Sequence, residues 1–272
     1  AQDNRGKWSH INPYRLEEFK KVIAPYYLRR EKEDVYTDLP TINRMFTVIT
    51  IDDEHLKKVY NKALENLEEV AVRTNYKFFE MIGELMILRR ICGMAKVQFA
   101  SNYADMFLEE HETNHAKLCI GVHHKDVRDS LKYRMGTFRT MTLSGEDSAE
   151  KKFHIMKDME RPENRILVMN MLAGGIGMDF HYINYVLILE RMWSSADEEQ
   201  FEFRFYNPDK SIKSVGTDIE YIVAKGTIDE WFYDMVEEKR KIFGETIGTN
   251  WDVSKDPGSF RDLVDKTIAG RL

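Results

Sequence analysis

The sequence predicts an α/β fold, a parallel β-sheet flanked by helices and preceded by a helical region. Three observations predict it. Up to residue 112 the apolar side chains recur at spacings of three and four, the helical period. After His115 short apolar runs alternate with helical stretches, the grammar of strand and crossover helix. Those runs are apolar and rich in β-branched residues along their length, as in strands covered on both faces.

The elements follow in order. Pro13 to Pro40 holds a helix-like pattern at Leu16, Phe19 and Ile23, then a cationic cluster at Arg29, Arg30 and Lys32, and Leu39-Pro40 ends it. From Asp52 an amphipathic helix places Leu56, Val59, Tyr60, Ala63, Leu64 and Leu67 on one face. A second helix runs through Phe78, Phe79, Ile82, Leu85, Met86 and Ile91 to Gly93, and a third from Ala95 through Phe107, so the first third reads as entirely helical. Strands are predicted at Leu118 to Val122, Thr140 to Leu143, Ile166 to Met169, Tyr185 to Leu189 and Ile219 to Val223. Helices are predicted at Lys125 to Met135, Ala149 to Met159, Asp197 to Phe205 and Ile228 to Phe243, with a polar tail after Thr249.

Composition excludes several classes. At 272 residues the chain is long enough to bury a substantial core, and 43% hydrophobic residues argue against disorder. Two cysteines, Cys92 and Cys119, make neither a disulfide framework nor a CxxC metal pair, which points to a reducing compartment. No apolar run reaches the roughly 18 residues of a membrane span. The net charge of -6 means that any nucleic-acid binding rests on a local basic surface.

The glycine-rich run Ala173-Gly174-Gly175-Ile176-Gly177-Met178-Asp179 follows an apolar strand, and its glycines let backbone N–H groups approach an anion. One reading is a dinucleotide or adenosylmethionine site in which Glu190, at the end of the next strand, takes the ribose hydroxyls. Too few residues separate Gly177 from Tyr185 for the crossover helix of such a site, and a plain tight turn is the alternative. His123 and His124 are adjacent, so on a strand they point to opposite faces and make a poor metal grip. Arg89, Arg90 and Lys96 form a second basic cluster, for which a solvated helix face is the plain alternative. No GxSxG nucleophile elbow and no GxxxxGK[ST] phosphate loop occurs.

The order of these pieces carries a resemblance. Tyr27-Leu28-Arg29-Arg30-Glu31-Lys32-Glu33-Asp34-Val35 with Asp38-Leu39-Pro40 is similar to the bridge into the second lobe of Swi/Snf-type, superfamily-two helicase-like ATPases. Leu88-Arg89-Arg90-Ile91-Cys92 resembles that family's Leu-Arg-x-Ile-Cys segment, and Lys117 to Lys125 resembles the strand that opens its second RecA-like lobe. Leu143-Ser144-Gly145 with Ser148, Ala149 and Lys151 stands where the family has an Asp-Gly-x-Thr/Ser turn and an Arg-bearing helix. Ala173 to Gly177 resembles motif V, Trp193 the start of a Trp-Asn-Pro element, and Gln200 with Arg204 motif VI. Ala224 to Glu230 and Glu238-Lys239 resemble the closing strand-turn-helix. The similarity covers nearly the whole chain, and its finer details look most like the annealing-helicase, fork-remodelling branch.

The resemblance implies a RecA-like C-terminal lobe with an N-terminal helical insertion. Its parts are a bridge over 1–45, the insertion over 46–112, the lobe over 113–249 and a tail over 250–272. It implies a DNA-dependent ATPase whose ATP and Mg2+ are held mainly by a first lobe absent from this chain, so that the chain alone is inactive. Partners are double-stranded or forked DNA and that first lobe, with no membrane. The compartment is cytoplasmic and nucleoid-associated in a prokaryote or virus, nuclear in a eukaryote. By the same resemblance Arg204 is the arginine finger, with Gln200 one turn earlier on its helix orienting nucleotide and finger. Gly175, Gly177, Asp179 and Arg204 border the nucleotide, while Ser144, Gly145, Lys151, Gly174, Gly175, His124 and Lys125 meet the DNA backbone. No metal ligand is expected in the chain itself.

Three positions depart from the pattern. Asn207 stands where motif VI has its second arginine, Trp193-Ser194-Ser195 replaces Trp-Asn-Pro, and Asp179-Phe180 replaces Asn-Leu. A one-finger ATPase, a substitute cation such as Lys210, and a lobe that binds without catalysis all accommodate the loss. An RNA-directed helicase lobe and a non-catalytic binding module therefore stand beside the DNA translocase.

Overall fold

A parallel ladder in which every neighbour is reached by a crossover organises the chain. The computed structural model describes residues 21–22, 25, 41–72, 78–136, 140–173, 178–206 and 216–247. The strands are β1 (Ile42–Ile49), β2 (Leu118–Val122), β3 (Thr140–Leu143), β4 (Ile166–Asn170), β5 (Tyr185–Ile188) and β6 (Thr217–Ala224). They form one six-stranded sheet in the order β1-β6-β5-β2-β4-β3, with every pair parallel. The helices are α1 (Glu54–Val72), α2 (Phe78–Ala95), α3 (Val97–Glu110), α4 (Lys125–Met135), α5 (Ala149–Asp158), α6 (Ser195–Glu202) and α7 (Ile228–Ile247). Five strands and the helices between them stand where the sequence places them, to within a few residues. Among the described residues no helix is long and apolar enough to cross a membrane.

One strand overturns the expectation that the first third is entirely helical. β1 pairs with β6 along its whole length, from Ile42 opposite Thr217 to Ile49 opposite Ala224. Its side chains are mostly exposed, so it shows no buried apolar run for a sequence reading to find. Backbone pairing with a strand 175 residues away, where Asn43 also bonds Asp218, makes it a strand. It also straddles the expected division at residues 45 and 46, and joins what lies on both sides of it to the sheet.

Alternation within each strand sorts the core onto two faces. Cys119, Leu167, Met169, Val186, Ile188, Ile219 and Tyr221 point to one face, where they pack with Phe180, Phe201 and Phe205. Leu118, Ile120, Val122, Ile166, Val168, Leu187 and Ile222 point to the other, against Val97, Ala104 and Phe107 of α3 and Val127 and Leu131 of α4. A third cluster joins α1 and α2 to Ile228 and Phe232 of α7.

Lys96 and Arg89 correct the solvated-face reading of their cluster. Lys96, at the junction of α2 and α3, is fully buried. Its ammonium donates to Leu189 O and to Ile222 O at 3.1 Å, and pairs with Asp229. Arg89 is also buried, donates to Arg191 O, and lies 4.4 Å over the Phe232 ring and 5.4 Å over Trp193. Both cations brace the helical pair against the ends of β5 and β6. Arg90 alone keeps the solvated reading, exposed and paired with Asp126.

Candidate nucleic-acid and nucleotide interface

In a parallel sheet the loops leaving the carboxyl ends of the strands share one edge, the usual place for ligands. His124 and Lys125 follow β2, Ser144 and Gly145 follow β3, and Lys151 lies in the first turn of α5. The two loops touch, because the Lys125 ammonium reaches Glu146 Oε2 at 2.7 Å. Ser148 caps α5 by accepting the Lys151 N–H at 3.2 Å, which aims the start of that helix at the same edge. Within the turn, Asp147 accepts the Ser144 N–H at 2.6 Å and the Lys151 ammonium at 2.5 Å. Burial pushes the Asp147 carboxyl up, but those two hydrogen bonds outweigh it and hold the group below the ordinary carboxylate value. Two exposed lysines and an exposed glycine thus stand on adjoining loops, each lysine resting on a carboxylate.

The crevice between β5 and β2, where the chain leaves in opposite directions, is filled by Glu190. It accepts the His123 and His124 N–H groups at 2.8 and 2.9 Å and pairs with His124 Nδ1 at 2.5 Å. Burial raises its pKa, yet the hydrogen bonds and charge of His124 prevail and the group lies below the usual range. This removes the ribose-binding reading of Glu190, since both oxygens are committed to capping the start of α4. The fit is close: a Cβ at Gly93 of α2 would stand 2.6 Å from Glu190 Oε1 and 2.9 Å from a Val127 methyl.

His123 beside it is pushed down to about 4 by burial, then by Arg89 and His124. Between that value and the 6.5 of a free imidazole the unfolded chain binds the proton that the folded one refuses, so stability falls as pH drops through this window. The expected result is a melting temperature that declines from pH 6.5 to 4 and declines less steeply in His123→Asn, measured by thermal unfolding across that range.

Gln200 and Arg204 lie elsewhere. α6 starts at the Ser194 cap, whose hydroxyl accepts the Asp197 N–H at 3.3 Å, and ends at Glu202, after which Phe203–Phe205 tighten into a 3-10 turn. The expected single helix from Asp197 to Phe205 is therefore two pieces. Gln200 is exposed on α6, whereas Arg204 on the tightened turn is half-buried near Cys119 of β2, so the two do not share one exposed surface. Burial lowers the Arg204 pKa, with Cys119 opposing, and the guanidinium remains a cation. Its carbonyl accepts the Phe180 N–H at 2.7 Å, and the Phe205 carbonyl accepts the Thr217 hydroxyl at 3.0 Å, near the start of β6. Arg204 thus lies towards the amino edge of the strands, away from the Lys125 and Lys151 loops. Asp179 is exposed and bonds the His181 N–H at 2.9 Å, while Phe180 fills the core against Phe205.

Gly174, Gly175, Gly177, Asn207, Lys210 and the Arg29–Lys32 cluster lie outside the described residues. Among the described residues no three His, Cys, Asp or Glu side chains come together as a metal site. Trp193 packs edge-on against Phe232 at 4.6 Å. The sequence reading missed Glu198 and Glu202, carboxylates at a spacing of four on the buried face of α6. Phe201 and Phe205 at the same spacing were the available signal that this face turns inward.

An isolated C-terminal domain of the Sulfolobus solfataricus SWI2/SNF2 ATPase superposes on 85% of the chain and 98% of its own length, with a TM-score of 0.58 and 16% identity. The chain has the fold of a SWI2/SNF2 ATPase C-terminal lobe. The same archaeal ATPase core in complex with dsDNA matches the lobe over 94% of the chain and 56% of that structure, at a TM-score of 0.62 and 19% identity. In sequence the lobe is 22% identical over 247 residues to the human DNA annealing helicase and endonuclease ZRANB3, covering 89% of the chain. The chain spans about a fifth of that relative's length. No family model matches the chain.

Proposed function

We propose that the chain is the second lobe of a DNA-dependent ATPase and translocase. It holds the backbone of duplex or forked DNA and lends an arginine to ATP bound by a first lobe. The observation that carries the reading is the meeting of the His124-Lys125 and Ser144-Gly145 loops with the start of α5 on the carboxyl edge of a SWI2/SNF2-type sheet. A hydroxyl and two exposed cations at one edge suit phosphate oxygens, which give affinity without sequence readout. The solved archaeal core in complex with dsDNA and the annealing-helicase relative support DNA over RNA as the substrate.

Magnesium and the nucleotide phosphates fall to the first lobe in this reading. ATP supplies the phosphoryl group whose transfer drives the opening and closing of the lobes. This chain's part is a charged guanidinium at Arg204, with Gln200 and Asp179 exposed and, by the resemblance alone, Gly174, Gly175 and Gly177 assigned to the nucleotide and DNA contacts. The division into bridge, helical insertion, lobe and tail is kept, with residues 42–49 reassigned to the lobe because β1 belongs to the sheet.

DNA-stimulated ATP hydrolysis by the chain joined to its first lobe tests the reading. Stimulation by duplex supports it, stimulation by RNA alone favours the RNA helicase, and binding without stimulated hydrolysis leaves a binding module. A finer expectation concerns the lysines. Lys151→Ala weakens duplex binding uniformly across sequences and reduces the salt slope of log K by about 1, measured by fluorescence anisotropy over a salt series. An unchanged slope removes Lys151 from the interface.

A further inference from the structure

The largest polar cluster of the described chain has no part in the reading above. Glu202, fully buried at the end of α6, accepts Arg44 Nε at 3.1 Å and Nη2 at 2.5 Å, Arg240 Nη2 at 3.1 Å, and the Tyr221 hydroxyl. One turn earlier Glu198, also fully buried, accepts a two-pronged pair from Arg191 at 3.0 and 2.6 Å, the Met192 N–H at 2.9 Å and Arg240 at 3.2 Å. Glu237 closes the set on Arg191 and Arg240 at 2.7 and 3.2 Å. Three arginines meet three glutamates from β1, α6, α7 and the turn after β5, and β6 adds the Tyr221 hydroxyl. The Arg191 guanidinium is boxed by Phe46, Tyr221 and Tyr233 at 5.9, 4.5 and 5.6 Å.

Burying Glu198, Glu202 and Arg191 among partly exposed partners costs desolvation that well-packed apolar side chains would avoid, so such a cluster is weak as a source of stability and strong as a source of fixed geometry. Its geometry bears on one place. Glu202 is the last residue of α6, the 3-10 turn begins at the next residue, and Arg204 follows two positions on. Arg44 reaches it from β1, the strand that continues the segment read as the bridge from the first lobe. Arg240 reaches it from α7, and being shared by Glu198 and Glu202 it fixes both turns of α6 at once.

We infer that this cluster is a charge clamp that aims the Gln200–Arg204 segment, with Arg44, Glu202 and Arg240 acting as positioning residues for the arginine finger. The inference rests on the function proposed above, and it ties the strand entering the lobe and the helix leaving it to the direction of one guanidinium.

Two measurements test it. In the chain itself, hydrogen exchange followed by mass spectrometry on Arg44→Met is expected to show the amides of 195–206 opening about tenfold more often, with β2 and β4 unchanged. Unchanged exchange at 195–206, or an increase spread equally over β2 and β4, overturns the clamp. Arg44 is partly exposed, so its removal is the mildest cut. If Arg44→Met does not fold, Arg44→Lys, which keeps the charge and loses the fork, carries the same test. In the two-lobed protein the same variant is expected to lower kcat about tenfold with KM for ATP and duplex affinity unchanged. A normal kcat despite faster exchange overturns the positioning role. If the unsubstituted two-lobed protein shows no stimulated hydrolysis, the proposed function falls, and the exchange experiment alone decides whether the clamp fixes the segment.

Discussion

Arg204→Ala in the two-lobed protein lowers DNA-stimulated ATP hydrolysis about 10³-fold, within the range that arginine fingers contribute in phosphoryl transfer. Duplex affinity is unchanged in the same variant. The separation of the two effects follows from the sheet: the lysine-bearing loops leave its carboxyl edge, while Arg204 is held near the amino edge by the Phe180 hydrogen bond to its carbonyl and the Thr217 hydrogen bond to the next residue, Phe205. Residue 207 is an asparagine and the sequence 204–207 holds no second arginine, so no neighbouring guanidinium takes over. Arg204→Lys restores little, because an ammonium lacks the planar fork that meets two phosphate oxygens. Single-turnover hydrolysis with and without duplex reads the result. Turnover at the unsubstituted rate removes the finger assignment, and loss of DNA binding together with turnover assigns Arg204 to the DNA instead.

Lys96→Met costs about 3–5 kcal/mol of folding free energy, the range for breaking a buried ion pair from one side. The substitution is close to isosteric, so packing is preserved and the loss is electrostatic. Asp229 is left without its cation, and the carbonyls of Leu189 and Ile222 lose their donor where water does not reach. For a domain of this size the melting temperature drops by roughly 6–20 °C. The double variant Lys96→Met with Asp229→Asn recovers part of the loss, because the orphaned charge is gone. Equal chemical denaturation midpoints for Lys96→Met and the unsubstituted chain would contradict the brace. The exposed Lys125 and Lys151, paired to carboxylates at the surface, change stability little when replaced.

Most of the sheet was legible residue by residue. Leu118 to Val122 and Ile166 to Met169 are short apolar runs because helices cover them on both faces, and that requirement writes itself into consecutive positions. β1 was not legible, since an edge strand with exposed side chains carries no such requirement and is held by its backbone. Of the candidate site, motif order named positions beyond β2 and β3, and the structure brings their loops into contact. The Glu198 and Glu202 clamp escaped because acidic residues on a short helix read as solvated when their arginines lie in other elements.

The sequence by itself determined the fold class, the order of the helices and five of the six strands. Periodicity and turn chemistry are local, and connection order in a parallel sheet leaves few topologies. Only the tertiary structure decided which charges are inside. Lys96, Arg89, Glu190, Glu198 and Glu202 look no different from surface residues in the chain, and each is buried beside partners brought from distant positions. The physical reason is that a charge is admitted to the interior by the geometry of its counter-charges and hydrogen-bond partners, which exists only once the elements have packed.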